Sequence, residues 1–444
     1  MGKNNFSVKW DIEPNCNLKC RHCMMADIKY EQALSVKENK VIARKLIDAG
    51  ADRIVFQSME PLMYVEIYKL ISYCASRGTL TGLITNGTLL SESLINKLLD
   101  ARLGYMIISL EGISPKTNDY IRGEGSFNKV LKNIHILQDI LDKTDRLLYM
   151  ILEYNLTSVN REEVNLMFDF FDELPFDVIS IGEIVNFGRA TENKDIKLRR
   201  DNILNTYIDI YSNYYKKKRN YILNTKGLTP YEIVYLNTFY NTDIPFYVVS
   251  CSVRNGNALS VSSDGVARVC TILNESKLCG SMELCDLKRT EIFDMKKEYY
   301  KVRNEIDLMS STENRENCIE CRHYIECTFC PAADEETHIE ARKNCNSARK
   351  RIAKNLDDIL ESKEGVISFS KGVYLEELDN NLYVCRLYKD NNITKTMISI
   401  EYKPLLLEMY NDKEYIPIDK YNSKEYIALL KDLIMLDCII YGNQ

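Results

Sequence analysis

Cys16, Cys20 and Cys23 place three thiols on one short stretch with the spacing C-x3-C-x2-C. Three thiolates at that spacing hold three irons of a [4Fe–4S] cube and leave the fourth iron without a protein ligand. An open iron chelates a small molecule, so the pattern points to a reactive cluster rather than a plain electron carrier, which uses four cysteines. Zinc is the alternative, although zinc sites usually pair C-x2-4-C with a second, distant pair. Nine more of the 15 cysteines fall between Cys251 and Cys345. So many thiols in a reducing compartment imply metal rather than disulfides. Cys74, Cys385 and Cys438 are scattered and read as small buried hydrophobes.

The elements that must position these cysteines are legible as alternation. Strand patterns occur at Phe6–Ile12, Arg53–Ser58, Leu80–Thr85, Tyr105–Leu110, Leu147–Tyr154 and Asp177–Val185. Between them run helical patterns at Val36–Ala49, Leu62–Arg77, Ser91–Ala101, Phe127–Leu141 and Arg161–Leu174. This order implies βαβ units and a parallel sheet, expected here as an α/β partial (β/α)6 barrel over residues 1–190. Chemistry on such sheets belongs to the loops leaving the C-terminal strand ends, and the cysteine triplet follows the first strand. A tyrosine-rich helical bridge (191–248), a cysteine-rich iron–sulfur domain (249–362) and a small α+β C-terminal domain (363–444) complete the expected organisation. The last is expected to be winged-helix-like. The basic run Lys216-Lys217-Lys218-Arg219 reads as a solvated helix end.

On its motifs the first region resembles the radical S-adenosylmethionine (SAM) enzymes. Ser58-Met59-Glu60-Pro61 stands where that family commonly has Gly-Gly-Glu-Pro, the loop that receives the amino group of SAM. Thr85-Asn86-Gly87-Thr88 matches the turn after the third strand. Ser109-Leu110-Glu111-Gly112 resembles Ser-x-Asp-Gly after the fourth, with Glu for Asp, and Arg122-Gly123 followed by Gly125-Ser126-Phe127 matches the next segment. The resemblance implies Glu60, Asn86, Ser109 and Arg122 as SAM contacts. Ser109 and Arg122 are expected at its ribose or carboxylate, where the planar fork of an arginine suits a carboxylate.

The second cysteine group reads C-x13-G-x4-C from Cys251 through Gly265 to Cys270, then Cys318, Cys321, Cys327, Cys330 and Cys345. It resembles the SPASM extension of radical SAM enzymes, which carries two auxiliary [4Fe–4S] clusters, but has two residues rather than three between Cys327 and Cys330. The family's interleaving implies Cys318, Cys321, Cys327 and Cys345 around one cluster and Cys251, Cys270 and Cys330 around the other. The remaining iron falls to Cys279, Cys285, the substrate or no ligand. Four thiolates of Cys318, Cys321, Cys327 and Cys330 around zinc are the alternative, which leaves five of the nine cysteines unexplained.

The resemblance therefore implies SAM and three [4Fe–4S] clusters, with an external one-electron donor of flavodoxin or ferredoxin type. A precursor peptide is the expected substrate: ribosomally made, relieved of hydrogen by a 5′-deoxyadenosyl radical and closed into a thioether or carbon–carbon crosslink. Alternatives are a sulfatase-type formylglycine maturase, a small-molecule radical dehydrogenase and a non-catalytic iron–sulfur carrier or redox sensor. No residue is singled out as general base. A net charge of −6 argues against a nucleic-acid partner. No apolar run reaches the ~20 residues that span a bilayer, and Met1–Asn5 lead straight into a strand, so a cytoplasmic protein without membrane partners is expected.

Overall fold

The computed structural model describes residues 6–26, 28, 32–199, 203–245, 258–271, 283–289, 335–362, 366–378, 381–387, 393–411, 416–417 and 423–442. The first half builds β1 (Phe6–Asp11), α1 (Val36–Asp48), β2 (Ala51–Gln57), α2 (Ile67–Ala75), β3 (Leu80–Thr85), α3 (Glu92–Asp100) and β4 (Tyr105–Ser109). It continues through α4 (Pro115–Arg122), α5 (Ser126–Asp142), β5 (Tyr149–Leu156), α6 (Met167–Phe171) and β6 (Val178–Glu183). β1 to β6 pair in sequence order and in parallel, giving the expected parallel α/β sheet of a partial barrel. Two of these helices, α1 and α3, start at a serine whose side chain caps the first turn. Before α1, Ser35 and Glu38 form a reciprocal cap: the Ser35 backbone N–H donates to Glu38 Oε2 at 2.9 Å and the Glu38 N–H to Ser35 Oγ at 3.4 Å, a device worth about 1 kcal/mol.

Four further strands widen the sheet. β7 (Ile222–Thr225) pairs in parallel with β6 at one edge. At the other, β8 (Ala258–Val261) pairs in parallel with β1, and β9 (Val266–Arg268) and β10 (Glu283–Asp286) follow antiparallel. The barrel sheet thus reaches into the helical bridge on one side and the cysteine-rich region on the other. β7 and β8 are four residues each, too short for a periodic signature.

Strand alternation sorts the two faces. In β5, Met150, Leu152, Tyr154 and Leu156 are buried beneath helices, whereas Ile151, Glu153 and Asn155 are only half-buried on the inner face. Trp10 and Phe56 stack on the helix side with ring centroids 5.9 Å apart. The expected helix at 161–174 is interrupted, with a 3-10 turn at Arg161–Glu163 before the short α6.

The bridge holds α7 (Ile203–Tyr214) and α8 (Pro230–Tyr240). Its basic run is not simply solvated. Lys217 pairs with Asp172 at 2.7 Å, and the nearly buried Arg219 pairs with Asp172 at 3.1 Å while lying over the Phe168 ring. A cation that closes the carbonyl end of a helix and stacks on an aromatic ring is anchored by both contacts.

After α9 (Glu335–Ser362), the tail forms β11 (Val366–Phe369), β12 (Val373–Leu378), β13 (Asn381–Leu387), β14 (Ile393–Ile398), α10 (Lys403–Asn411), β15 (Ile416–Pro417), α11 (Lys424–Met435) and β16 (Ile439–Gly442). These make two three-stranded sheets, ordered β15-β11-β16 and β12-β13-β14. Buried Arg386 of β13 pairs with Asp437 and with Asp243 at 3.0 Å, and Asn237 of α8 donates to Asp437 at 2.8 Å. The tail is therefore fastened to α8 through buried, paired charges. Among the described residues no helix is long and apolar enough to cross a membrane. Cys74, Cys385 and Cys438 are buried.

Candidate active site at the mouth of the barrel

The cysteine triplet lies on the loop leaving the C-terminal end of β1, and hydrogen bonds from four directions pin that loop. Arg21 N donates to Ile121 O of α4 at 2.8 Å, Glu60 N to Asn15 O at 3.1 Å, and Arg189 N to Cys23 O at 3.0 Å. From the turn after β3, Asn86 Nδ2 donates to Asn17 Oδ1 at 2.9 Å, and Asn17 Nδ2 returns a bond to Thr88 Oγ1 at 2.8 Å. The loops after β2, β3 and β6 thereby set the position of the thiols.

Cys20 is buried, while Cys16 and Cys23 are half-buried. Burial raises the Cys16 and Cys20 thiols above their ordinary value of 9.0, and Arg122 and Arg189 oppose that rise at Cys20. A desolvated thiol ionises readily only where positive charge is supplied, as iron supplies it. Two donors already address Cys16 Sγ, from Leu18 N at 3.4 Å and Asn86 Nδ2 at 3.9 Å; hydrogen bonds to ligating sulfur are a known lever on such clusters. His22 Nδ1 and Arg189 Nε are buried without a hydrogen-bond partner beside the same loop. Among the described residues no three potential ligands crowd around one point as a single ion requires. The thiols of a cube each take a different iron and stand further apart. The residues present fit a [4Fe–4S] cluster.

Glu60 is fully buried behind the loop. Its Oε1 accepts from Leu62 N at 3.0 Å and Thr85 Oγ1 at 2.7 Å, and Oε2 accepts from Asn86 N at 2.8 Å. Burial raises its carboxyl and these bonds oppose the rise. Three of about four acceptor positions are filled, so Glu60 clamps the β2 and β3 loops together. Ser58 and Met59, at the places of the two family glycines, have φ of 66° and 46°. The left-handed turn is retained although each residue carries a Cβ, at a cost of about 1–2 kcal/mol apiece. Ser58 Oγ donates to Asp11 Oδ1, a tie that glycine would lack.

Ser109 ends β4, half-buried on the inner face. Arg122 is buried, with both arms of its fork on Glu111, Nη2 to Oε1 at 2.9 Å and Nε to Oε2. Its guanidinium thus takes part in a buried ion pair. Glu111 also accepts from Asn155 Nδ2 at 3.0 Å and faces His22 Nε2 at 3.6 Å. Burial and the two arginines depress the His22 imidazole to about 3, keeping it neutral. Gly112 is required because a Cβ would lie 2.2 Å from Thr117 Oγ1 and 2.5 Å from Asn118 N.

Of the auxiliary cysteines, Cys251, Cys279, Cys318, Cys321, Cys327 and Cys330 lie outside the described residues. Cys285 is on β10, Cys345 is half-buried on α9, and Cys270 follows β9. Cys270 lines a cavity of about 290 Å³ together with Met24 and Met25 of the triplet loop, Ser58 and Lys9. Next to it, Thr271 Oγ1 donates to Asp11 Oδ2 at 2.9 Å and shares a hydrogen with Ser260 Oγ at 2.5 Å. Asp11 thus ties the triplet strand, the Ser58 turn and the Cys270 segment. The sequence carried one signal for it, a charged residue near the end of the first strand pattern.

Gly188 (φ +57°) was also not evident beforehand. A Cβ there would lie 2.5 Å from Cys23 O and 2.8 Å from Met24 O, both backbone atoms. Gly188→Ala should push the triplet loop outward. We expect lower iron content per chain after reconstitution and a loss of about 1–3 kcal/mol in stability, read by iron assay and urea melts.

Comparison with known proteins agrees with this geometry. Residues 12–165 match the model of the Radical SAM superfamily, so the chain carries a radical SAM domain. It is 32% identical over 196 residues to the Fe-coproporphyrin III synthase of Methanosarcina barkeri, covering 43% of this chain and 47% of that protein. It is 26% identical over 133 residues to the mycofactocin maturase MftC of Mycolicibacterium smegmatis, covering 30% of this chain and 34% of that one. The chain spans about half or less of the length of these curated relatives. Among solved structures, Streptococcus suis SuiB bound to precursor peptide SuiA has a TM-score of 0.55 at 17% identity, over 68% of this chain and 67% of that one. Native anSMEcpe with bound AdoMet and Cp18Cys peptide has a TM-score of 0.55 at 16% identity, over 80% of this chain and 99% of that one. At these identities the structural likeness is one of fold.

Proposed function

We propose that this protein is a radical SAM maturase that removes hydrogen from a ribosomally made peptide and closes an oxidative thioether or carbon–carbon crosslink. The observation that carries the reading is the shared cavity, walled by the triplet loop on one side and by Cys270 of the cysteine-rich region on the other. A [4Fe–4S] cluster on Cys16, Cys20 and Cys23 supplies, when bound, the electron that cleaves SAM to methionine and a 5′-deoxyadenosyl radical. Glu60 and Asn86 hold the strand ends around that loop, and Ser109 presents a hydroxyl on the inner face. The helix-packed sheet restricts water and stray hydrogen donors.

In this reading, Cys251, Cys270, Cys318, Cys321, Cys327, Cys330 and Cys345 carry two auxiliary clusters that accept the electron left over from bond closure. Re-reduction of the triplet cluster falls to an external flavodoxin or ferredoxin. Among the described residues the outer edges of β12 and β14 carry no further strand, and such an edge is suited to strand addition by a leader peptide.

The test is anaerobic reconstitution, reduction and addition of SAM with the small-peptide fraction of the source cells, followed by mass spectrometry. Deoxyadenosine together with a peptide lighter by two hydrogens is the expected result, with about twelve irons per chain. Deoxyadenosine together with conversion of an added tetrapyrrole would favour a second reading, a small-molecule enzyme, which the 32% identity to Fe-coproporphyrin III synthase supports. Conversion of a protein Cys or Ser to formylglycine would instead identify a sulfatase-type maturase.

A further inference from the structure

Building on the peptide-maturase reading, we propose that Lys9 selects a carboxylate of the substrate, so that the peptide places an acidic residue in the cavity between the triplet loop and Cys270. Lys9 sits in the middle of β1, opposite Val55 of β2 and Ser260 of β8, with its side chain on the inner face. It is exposed to that space, and among the described residues it has no hydrogen-bond or ion-pair partner.

Other charged groups of the inner face already have partners of their own. Lys226 holds both oxygens of Glu153, at 2.9 and 2.8 Å. Asp11, two residues beyond Lys9, accepts from Ser58, from Gln57 Nε2 at 3.2 Å and from Thr271 at 2.9 Å. Among the described residues the lining around Lys9 is otherwise neutral: Ser260 is shared with Thr271, and Ile84 and Val269 are apolar. A lone cation in a partly enclosed neutral cavity favours an anion more strongly than one on an open surface does. Three rotatable donors on a long stem suit a carboxylate of variable pose.

Size narrows the source. About 290 Å³ lies at the lower end of small-ligand cavities. It suits one side chain of a peptide better than a macrocycle. A carboxylate held by Lys9 anchors its residue between Met24 of the triplet loop and Cys270.

The test uses three pools of short synthetic peptides differing only at a central position, occupied by Asp or Glu, by Asn or Gln, or by Lys. Binding to the full-length, anaerobically reconstituted protein with SAM present is measured by native mass spectrometry. Wild type should hold the acidic pool at least about tenfold tighter than the amide pool, as a charge-assisted bond implies. Lys9→Met should erase that preference, and Lys9→Glu should turn it toward the Lys pool. A reversal of preference cannot arise from misfolding. A Lys9→Glu protein that melts like wild type and still prefers the acidic pool overturns the proposal. Glutarate displacing the acidic pool at equal concentration would also overturn it, by assigning the site to a small molecule. Deoxyadenosine formation by wild type is scored separately: its absence sinks the radical reading, and the binding preference still decides Lys9.

Discussion

Changing Cys20 to Ala should bring deoxyadenosine formation down to the level given by reductant alone. Three irons of a three-cysteine cube have one protein ligand each, so removing one opens a second corner and destabilises the whole cluster. Outer partners of metal ligands typically cost 10–100-fold when lost, and a direct ligand should exceed about 100-fold. Iron should fall by about four per chain if the auxiliary clusters assemble independently. Cys20 is the most informative of the three because it is the buried one, packed beside Arg122 with its thiol directed at Arg122 O, 3.9 Å away. Its replacement by Ala removes little volume, so a melting curve near that of wild type separates ligand loss from misfolding. Normal deoxyadenosine yield from a well-folded Cys20→Ala protein would refute the assignment of this loop.

Arg122→Met should destabilise the fold by about 3–5 kcal/mol, the usual result of stripping one partner from a buried pair. Glu111 is fully buried, and without Arg122 its charge would keep only the amide of Asn155 and the neutral His22. The Arg122→Met, Glu111→Leu double variant should recover most of the loss, because a buried ion pair replaced by apolar groups is often close to neutral. Denaturant midpoints for the four proteins give the coupling directly. The same experiment decides between two roles for Arg122. An ion-pair role moves stability strongly and shows coupling to Glu111. A cofactor-carboxylate role would leave stability nearly unchanged and raise KM for SAM.

This pair shows where local reading reaches its limit. Arg122 and the Ser109–Gly112 motif were both visible as matches in order along the chain, and each stands at a strand or helix end as expected. Their mutual engagement was not visible, because the carboxylate that occupies the arginine arrives from another loop. Asn86 is similar: its place after β3 was legible, but its bonds to Asn17 and Cys16 depend on two loops meeting. Of the basic run at 216–219 the three lysines are exposed past a helix end as expected, while the docking of Arg219 was not visible, since Asp172 and Phe168 come from a separate segment.

What the sequence determined alone was everything that one segment can encode. The C-x3-C-x2-C spacing, the strand-then-helix alternation and the helix caps are local, and β1 to β6 formed where their apolar patterns lay. The tertiary structure decided what depends on distance along the chain. It brought Thr271 to Asp11 across 260 residues, seated β8 beside β1, and set Gly188 beneath Cys23. It also left Lys9 without an ion-pair partner among the described residues. Whether a charge is paired depends on the whole set of side chains folded around it, and no single stretch of sequence contains that set.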